Sequence, residues 1–248
     1  MIKRGLTKRA GLAIMLLLQT GAAMAANGST NGSACVLPAL TPTPKPYGAS
    51  EREPRRALRS TVFTLAISWA PQYCATGEGM GGTFDPSLQC DTRANRFGFI
   101  LHGLWPDGDG RTWPQYCKPA GLLRPATIRA NLCLTPSADL LQHEWAKHGT
   151  CAWPTPEHYF ADARAAFEKL RLPDMAPMIG RETLTNGDFI DAVVAANPAI
   201  PRDAIRIAAN REGWFQEMRI CLNARRRYIS CPERADRPNR SLRIRPIG

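Results

Sequence analysis

FGFILHGLWPDGDGRTWP, residues 97 to 114, passes from an apolar run into a segment dense in glycine, proline and aspartate. The first five residues read as a strand, because a short apolar run bounded by breakers suits a sheet. That strand delivers the chain directly to His102, and the segment from His102 onward reads as an irregular loop. Irregular segments beside rigid strands commonly carry functional groups. Toward the N-terminus, TVFTLAISW (61 to 69) alternates, with Phe63, Leu65, Ile67 and Trp69 on one side, the period of a half-buried strand. Toward the C-terminus, SADLLQHEWAKH (137 to 148) holds helix formers without a breaker, between Pro136 and Gly149, and predicts a helix. Further helices are predicted over 157 to 170 and over 187 to 196, before Pro198. AIRIAA (204 to 209), WFQEMRICL (214 to 222) and RYISC (227 to 231) read as strands, and no internal repeat is present. The mixture predicts an α+β fold with an antiparallel β-sheet core and several flanking α-helices.

The chain begins with basic Lys3, Arg4, Lys8 and Arg9, an apolar run through Leu18, and the small-residue tripeptide Ala23-Met24-Ala25. This is the layout of a cleavable signal peptide over residues 1 to 25. The apolar run is shorter than the roughly 20 residues that a spanning helix needs, so no membrane span is expected. Residues 26 to 58 are rich in Pro, Gly, Ser and Thr and read as a flexible leader. A domain is expected over 59 to 232, and a basic tail over 233 to 248. The chain has 8 cysteines: Cys35, Cys74, Cys90, Cys117, Cys133, Cys151, Cys221 and Cys231. An even count behind an export signal favours four disulfides in an oxidising compartment, hence a secreted or periplasmic protein. No C-x-x-C pair occurs, which argues against structural zinc. The formal net charge is +11, four of it in the signal segment, leaving about +7. Such a field attracts polyanions but does not choose among RNA, DNA and an anionic membrane.

Three of the 4 histidines fall in two short segments. On a helix turning about 100° per residue, His143, Glu144, Lys147 and His148 fall within an arc of roughly 140°. An ordinary charged helix with such a face would simply be solvated. Here Trp145 lies inside the patch, and Gly149 and Cys151 follow it, which anchors the helix end. His143-Glu144 begins like the zinc-protease pattern H-E-x-x-H, but Lys147 occupies the last position and His148 falls one residue later, off the helical row. No metal and no cofactor are therefore expected. His158 reads as a helix-surface residue.

Two imidazoles, a cation and a carboxylate, without metal or activated serine, suit transesterification of RNA. A base takes the 2′-hydroxyl proton, that oxygen attacks its own phosphorus, and an acid protonates the leaving 5′-oxygen. Imidazole titrates near neutrality and serves either role. His143 and Lys147 would offset charge developing on the phosphoryl oxygens. DNA lacks the 2′-hydroxyl and would not be cleaved.

FILHGLWP (99 to 106) and HEWAKHGTC (143 to 151) resemble the two catalytic segments of the ribonuclease T2 family, the base-non-specific acid endoribonucleases. FTLAISWAPQYC (63 to 74) resembles its first core strand, and MRICLN with Cys231-Pro232 its C-terminal strand, so the likeness covers roughly residues 60 to 232. The resemblance implies cleavage of single-stranded RNA through a 2′,3′-cyclic phosphate to 3′-phosphate ends, with little base preference, by a monomer. It implies His102 as general acid and His148 as general base, with the choice between them left open. Glu144 and Lys147 would stabilise the pentacoordinate phosphorus, His143 would hold the phosphate, and Trp105 and Asp107 would contact the base. It also implies disulfides Cys74–Cys90, Cys117–Cys151 and Cys221–Cys231, with Cys35 and Cys133 remaining. An RNA-binding protein that keeps the fold without catalysis is the competing reading.

Overall fold

A computed structural model of the chain describes residues 1–2, 34–76, 87–108, 112–232 and 237–248. The expected signal peptide, apart from Met1 and Ile2, and the first residues of the expected leader lie outside the described residues. In chain order the elements are β1 (Val62–Trp69), α1 (Ala70–Thr76), α2 (Ser87–Cys90), β2 (Phe99–Asp107), α3 (Pro125–Asn131), α4 (Ala138–Lys147), α5 (Pro156–Glu168), α6 (Asn186–Ala196), β3 (Ile205–Ala209) and β4 (Phe215–Asn223). The strands form one antiparallel sheet in the order β2-β1-β4-β3, the α+β architecture read from the sequence.

Local chemistry explains the helix boundaries. Ser137 caps α4 by accepting from Leu140 N at 3.2 Å, and Thr185 and Asp188 form a reciprocal capping box at the start of α6. Leu141 and Trp145 carry α4 into the same core as Leu65, Ile67 and Trp69 of β1, Leu101 and Leu104 of β2, and Tyr159 of α5. Burying a large apolar side chain contributes about 1.5–3 kcal/mol, so this cluster decides where α4 and its polar groups must sit.

Five readings of the sequence need correction. β1 is buried on both faces from Phe63 to Trp69, because the polar groups Thr64 and Ser68 are covered by the site they help to build. The segment read as a loop from His102 is strand as far as Asp107. β2 lies at the sheet edge, where Pro106 can direct its missing N–H away from the ladder. RYISC is not a strand: after the isolated bridge Leu222↔Tyr228 the chain turns away, and Cys231 N donates to Asp203 O instead. The described part of the expected leader is a strap along the body. Arg56 pairs with Gln115, Val36 N donates to Asn95 Oδ1 at 2.7 Å, and Lys45 N donates to Asp139 Oδ1 at 2.7 Å.

The expected basic tail is also docked over 237–248. Leu242 and Ile244 are buried, Phe215 N donates to Arg243 O, and Trp69 Nε1 donates to Arg245 O at 2.8 Å. Its apolar residues alternate with arginines, so the high charge hid a period of two. The disulfides are Cys35–Cys133, Cys74–Cys90, Cys117–Cys151 and Cys221–Cys231, the pairs given above. No helix among the described residues is long and apolar enough to cross a membrane.

Candidate active site

The β1–β2 register pairs Ala66 with Gly103 but Ile67 with Leu101, which leaves His102 as the extra residue of a bulge. Bulges re-aim a side chain and frequently lie beside active sites. His102 thereby reaches two carboxylates. Its Nδ1 lies 2.5 Å from Glu217 Oε2, and its Nε2 lies 3.5 Å from Glu144 Oε1. Burial alone would lower the His102 pKa; Glu217, and behind it Glu144, outweigh burial and raise it above the ordinary imidazole value.

α4 supplies the opposite wall. Glu144 is buried and accepts from Trp105 Nε1 at 2.6 Å. Burial pushes its carboxyl up to about 7 against the pull of His102 and of the Trp105 hydrogen bond. His148 is the C-cap of α4, and its backbone N–H still donates to Glu144 O. The His148 ring stacks on Trp105 at 5.3 Å between centroids, while Trp105 meets His102 edge-on at 5.0 Å. One indole therefore spaces the two imidazoles. Burial, with the charges of His143, Lys147 and His102, holds His148 well below the ordinary imidazole value. Burial, Lys147 and His102 bring His143 down to about 3.

His102, Trp105, His143, Glu144, Lys147 and His148 line one cavity of about 350 Å³. The Lys147 ammonium is held by Glu53 of the strap, whose carboxylate also accepts from Tyr116 Oη at 3.0 Å. Asp107 faces the same cavity, with Oδ2 accepting from Thr64 Oγ1 and Oδ1 from Gly108 N. The sequence argument against a metal set does not survive in full. Because His148 closes the helix rather than continuing it, donor atoms of His143, Glu144 and His148 come within 4.8 Å of one another. These are donor types a divalent cation accepts, although Glu144 is already engaged by Trp105 and lies beside His102.

Residues 60–178 match the ribonuclease T2 family. The intracellular ribonuclease LX of Solanum lycopersicum is 33% identical over 176 residues, which cover 59% of this chain and 73% of that protein. This chain belongs to the ribonuclease T2 family. A probable ribonuclease of Haemophilus influenzae is 30% identical over 181 residues, 68% of this chain and 60% of that relative, so the match spans less than two thirds of the relative's length. Trichomaglin, described as an S-like ribonuclease, shares the fold with a TM-score of 0.58 at 23% identity, over 75% of this chain and 98% of that one.

Several residues of this T2 family site escaped the sequence reading. Glu217 and Arg219 alternate along β4 with core residues Met218, Ile220 and Leu222, so they read as a solvated face. In the fold, Glu217 is buried and Arg219 Nε donates to its Oε1 at 2.7 Å. His102 and Arg219 bring the Glu217 carboxyl down to about 2 although burial pushes it up. Glu53 lay in a stretch read as leader, and half-exposed Trp113, which also lines the cavity, lay in a stretch read as loop. Trp105, expected to stack on a base, has His148 against its ring and the Arg219 guanidinium 5.3 Å from its centroid. Trp113 is the more exposed of the two, although the Arg56 guanidinium lies 4.8 Å from its ring centroid.

Proposed function

We propose that this T2 family chain is an endoribonuclease that cleaves single-stranded RNA by proton transfer between His148 and His102. The observation that carries it is the placement of these two imidazoles on either side of one indole, in a single cavity, with opposite shifts of pKa. A base must be neutral and an acid charged at the same pH. Those shifts favour His148 as the base that takes the 2′-hydroxyl proton and His102 as the acid that gives its Nε2 proton to the leaving 5′-oxygen. The 2′-oxygen bonds to phosphorus as the 5′-oxygen bond breaks, leaving a 2′,3′-cyclic phosphate. In the second step His102 takes a proton from water, the water oxygen bonds to phosphorus as the bond to the 2′-oxygen breaks, and His148 returns its proton to the 2′-oxygen, giving a 3′-phosphate.

Glu144, with a carboxyl near 7, is able to donate a hydrogen bond to a non-bridging oxygen, and Lys147 and His143 supply polar partners beside it. Asp107 and Trp113 line the same cavity and would contact the base, and an aromatic face accepts every base, in keeping with loose base preference. Four disulfides suit an extracellular or periplasmic setting.

The experiment is digestion of RNA and DNA side by side in excess chelator, with analysis of the product ends. RNA is expected to be cut to 2′,3′-cyclic and then 3′-phosphate ends, with DNA intact. Activity lost in chelator and restored by a divalent cation would refute the metal-free mechanism and return the His143, Glu144 and His148 donors to a metal.

A further inference from the structure

We propose that Glu217 is a positioning residue for His102, fixing the imidazole so that Nδ1 carries a permanent proton toward Glu217 and Nε2 faces the scissile bond. The inference rests on the reading of His102 as the acid that protonates the leaving oxygen. Glu217 stands on β4 and His102 on β2, with β1 between them. The β1 residue paired with Glu217 is Ser68, short enough for the carboxylate to pass over it, and its hydroxyl donates to Glu217 Oε2 at 2.9 Å. The same hydroxyl lies 3.3 Å from His102 Nδ1. A bulky residue at 68 would separate acid from imidazole.

The carboxylate is held at both oxygens. Arg219 Nε occupies Oε1, while Ser68 and His102 share Oε2. A charge fixed in this way accepts from Nδ1–H and disfavours the tautomer that would turn a lone pair toward it. After His102 gives up its Nε2 proton it is already the neutral Nδ1–H form, so no ring flip separates the two steps of the reaction. The groups facing His102 from the surrounding elements are Glu217 and Arg219 on β4, Ser68 on β1, Glu144, His143 and His148 on α4 and its cap, and Trp105 on its own strand. Of these, Glu217 is the carboxylate in hydrogen-bond contact with a ring nitrogen. A histidine oriented by a buried carboxylate is a recurrent device in acid–base catalysis.

The test pairs Glu217→Gln with two substrates: a dinucleotide, whose leaving alkoxide needs a proton, and a uridine 3′-aryl phosphate, whose phenolate leaves without one. On the dinucleotide, kcat should fall on the order of ten- to a thousandfold with KM within about threefold, and the alkaline limb of the rate profile should move to lower pH. On the aryl ester most of that loss should disappear, as it should for His102→Ala but not for His148→Ala. Nitrogen-15 spectra of the native protein should show His102 protonated at Nδ1 in a strong hydrogen bond, a measurement that needs neither activity nor a folded variant. Equal losses on both substrates, an unchanged kcat, or a native His102 without the Nδ1 proton would overturn the proposal. A native protein inactive on both substrates but with the Nδ1 signature intact would refute the RNA-cleaving reading and, with it, the catalytic purpose of the pairing.

Discussion

The ammonium of Lys147, at the end of α4, is bound by the carboxylate of Glu53, which stands 94 residues earlier on the strap. A cation expected to meet the substrate phosphate is thus already shared with a protein anion. Partial burial pushes the Glu53 carboxyl up, but Lys147, with Tyr116 behind it, holds it below its usual value. Glu53→Gln should therefore lower KM for RNA severalfold at low salt, with the gain shrinking as salt rises. Stability should change by no more than about 1 kcal/mol, because the pair is partly exposed. A KM that rises or stays put would show that Glu53 orients Lys147 rather than competing for it.

The pH dependence of kcat/KM carries its own sign. In the proposed mechanism His148 acts when neutral, and its lowered pKa would place the acid limb well below the ordinary imidazole value of about 6.5. In the same mechanism His102 acts when charged, and its raised pKa would place the alkaline limb above that value. Rates on a dinucleotide measured across both limbs should show a plateau from the acid limb to about 7, where Glu144 would begin to lose the proton it donates. An acid limb at or above 6.5 would reverse the assignment of acid and base.

Stability should follow pH differently from activity. His143 titrates near 3 when folded, so as pH falls below about 6.5 the unfolded chain takes up protons first and stability declines; His148 acts in the same direction. Glu144, at about 7 when folded, opposes them between about 7 and 4.5. Below about 4.5 Glu217, at about 2 when folded, joins the histidines, and its contribution is lost as pH falls toward 2. Above about 6.5 the raised pKa values of His102 and Glu144 add stability as pH falls, so thermal unfolding midpoints should decline gently only from about 6.5 to about 4.5 and steeply beneath it. A midpoint that rises on acidification below 4.5 would contradict the burial of these groups.

Gly103 shows why the segment that carries His102 needs a glycine. A Cβ there would stand 2.0 Å from Glu144 Oε2 and 2.6 Å from Trp105 Nε1, inside the hydrogen bond that joins them. Gly103→Ala should cost about 1–3 kcal/mol by overpacking and should also depress kcat by displacing Glu144. Urea unfolding and steady-state rates measure the two effects, and an unchanged rate would remove Glu144 from the mechanism.

The docked C-terminal segment makes a separate prediction. Ile244 is 3% exposed, and Ile244→Ala should cost about 2–5 kcal/mol while leaving KM close to native. A cost below about 0.5 kcal/mol, the range of a surface site, would show that the segment does not pack as described.

From the sequence alone came the fold class, the α4 boundaries and the two segments that line the cavity. These are local properties: hydrophobic period, caps and breakers act within a few residues, and His143, Glu144, Lys147 and His148 stand together at the end of one helix and its cap. Only the tertiary structure decided that Glu217 contacts His102, that Glu53 holds Lys147, and that Leu242 and Ile244 of the arginine-rich end join the core. Each of these depends on residues brought together across strands or over long stretches of chain, by a sheet order and a bulge that no local pattern encodes. A buried charge and a solvated one also look alike in a sequence, because the partner that makes burial tolerable lies elsewhere in the chain.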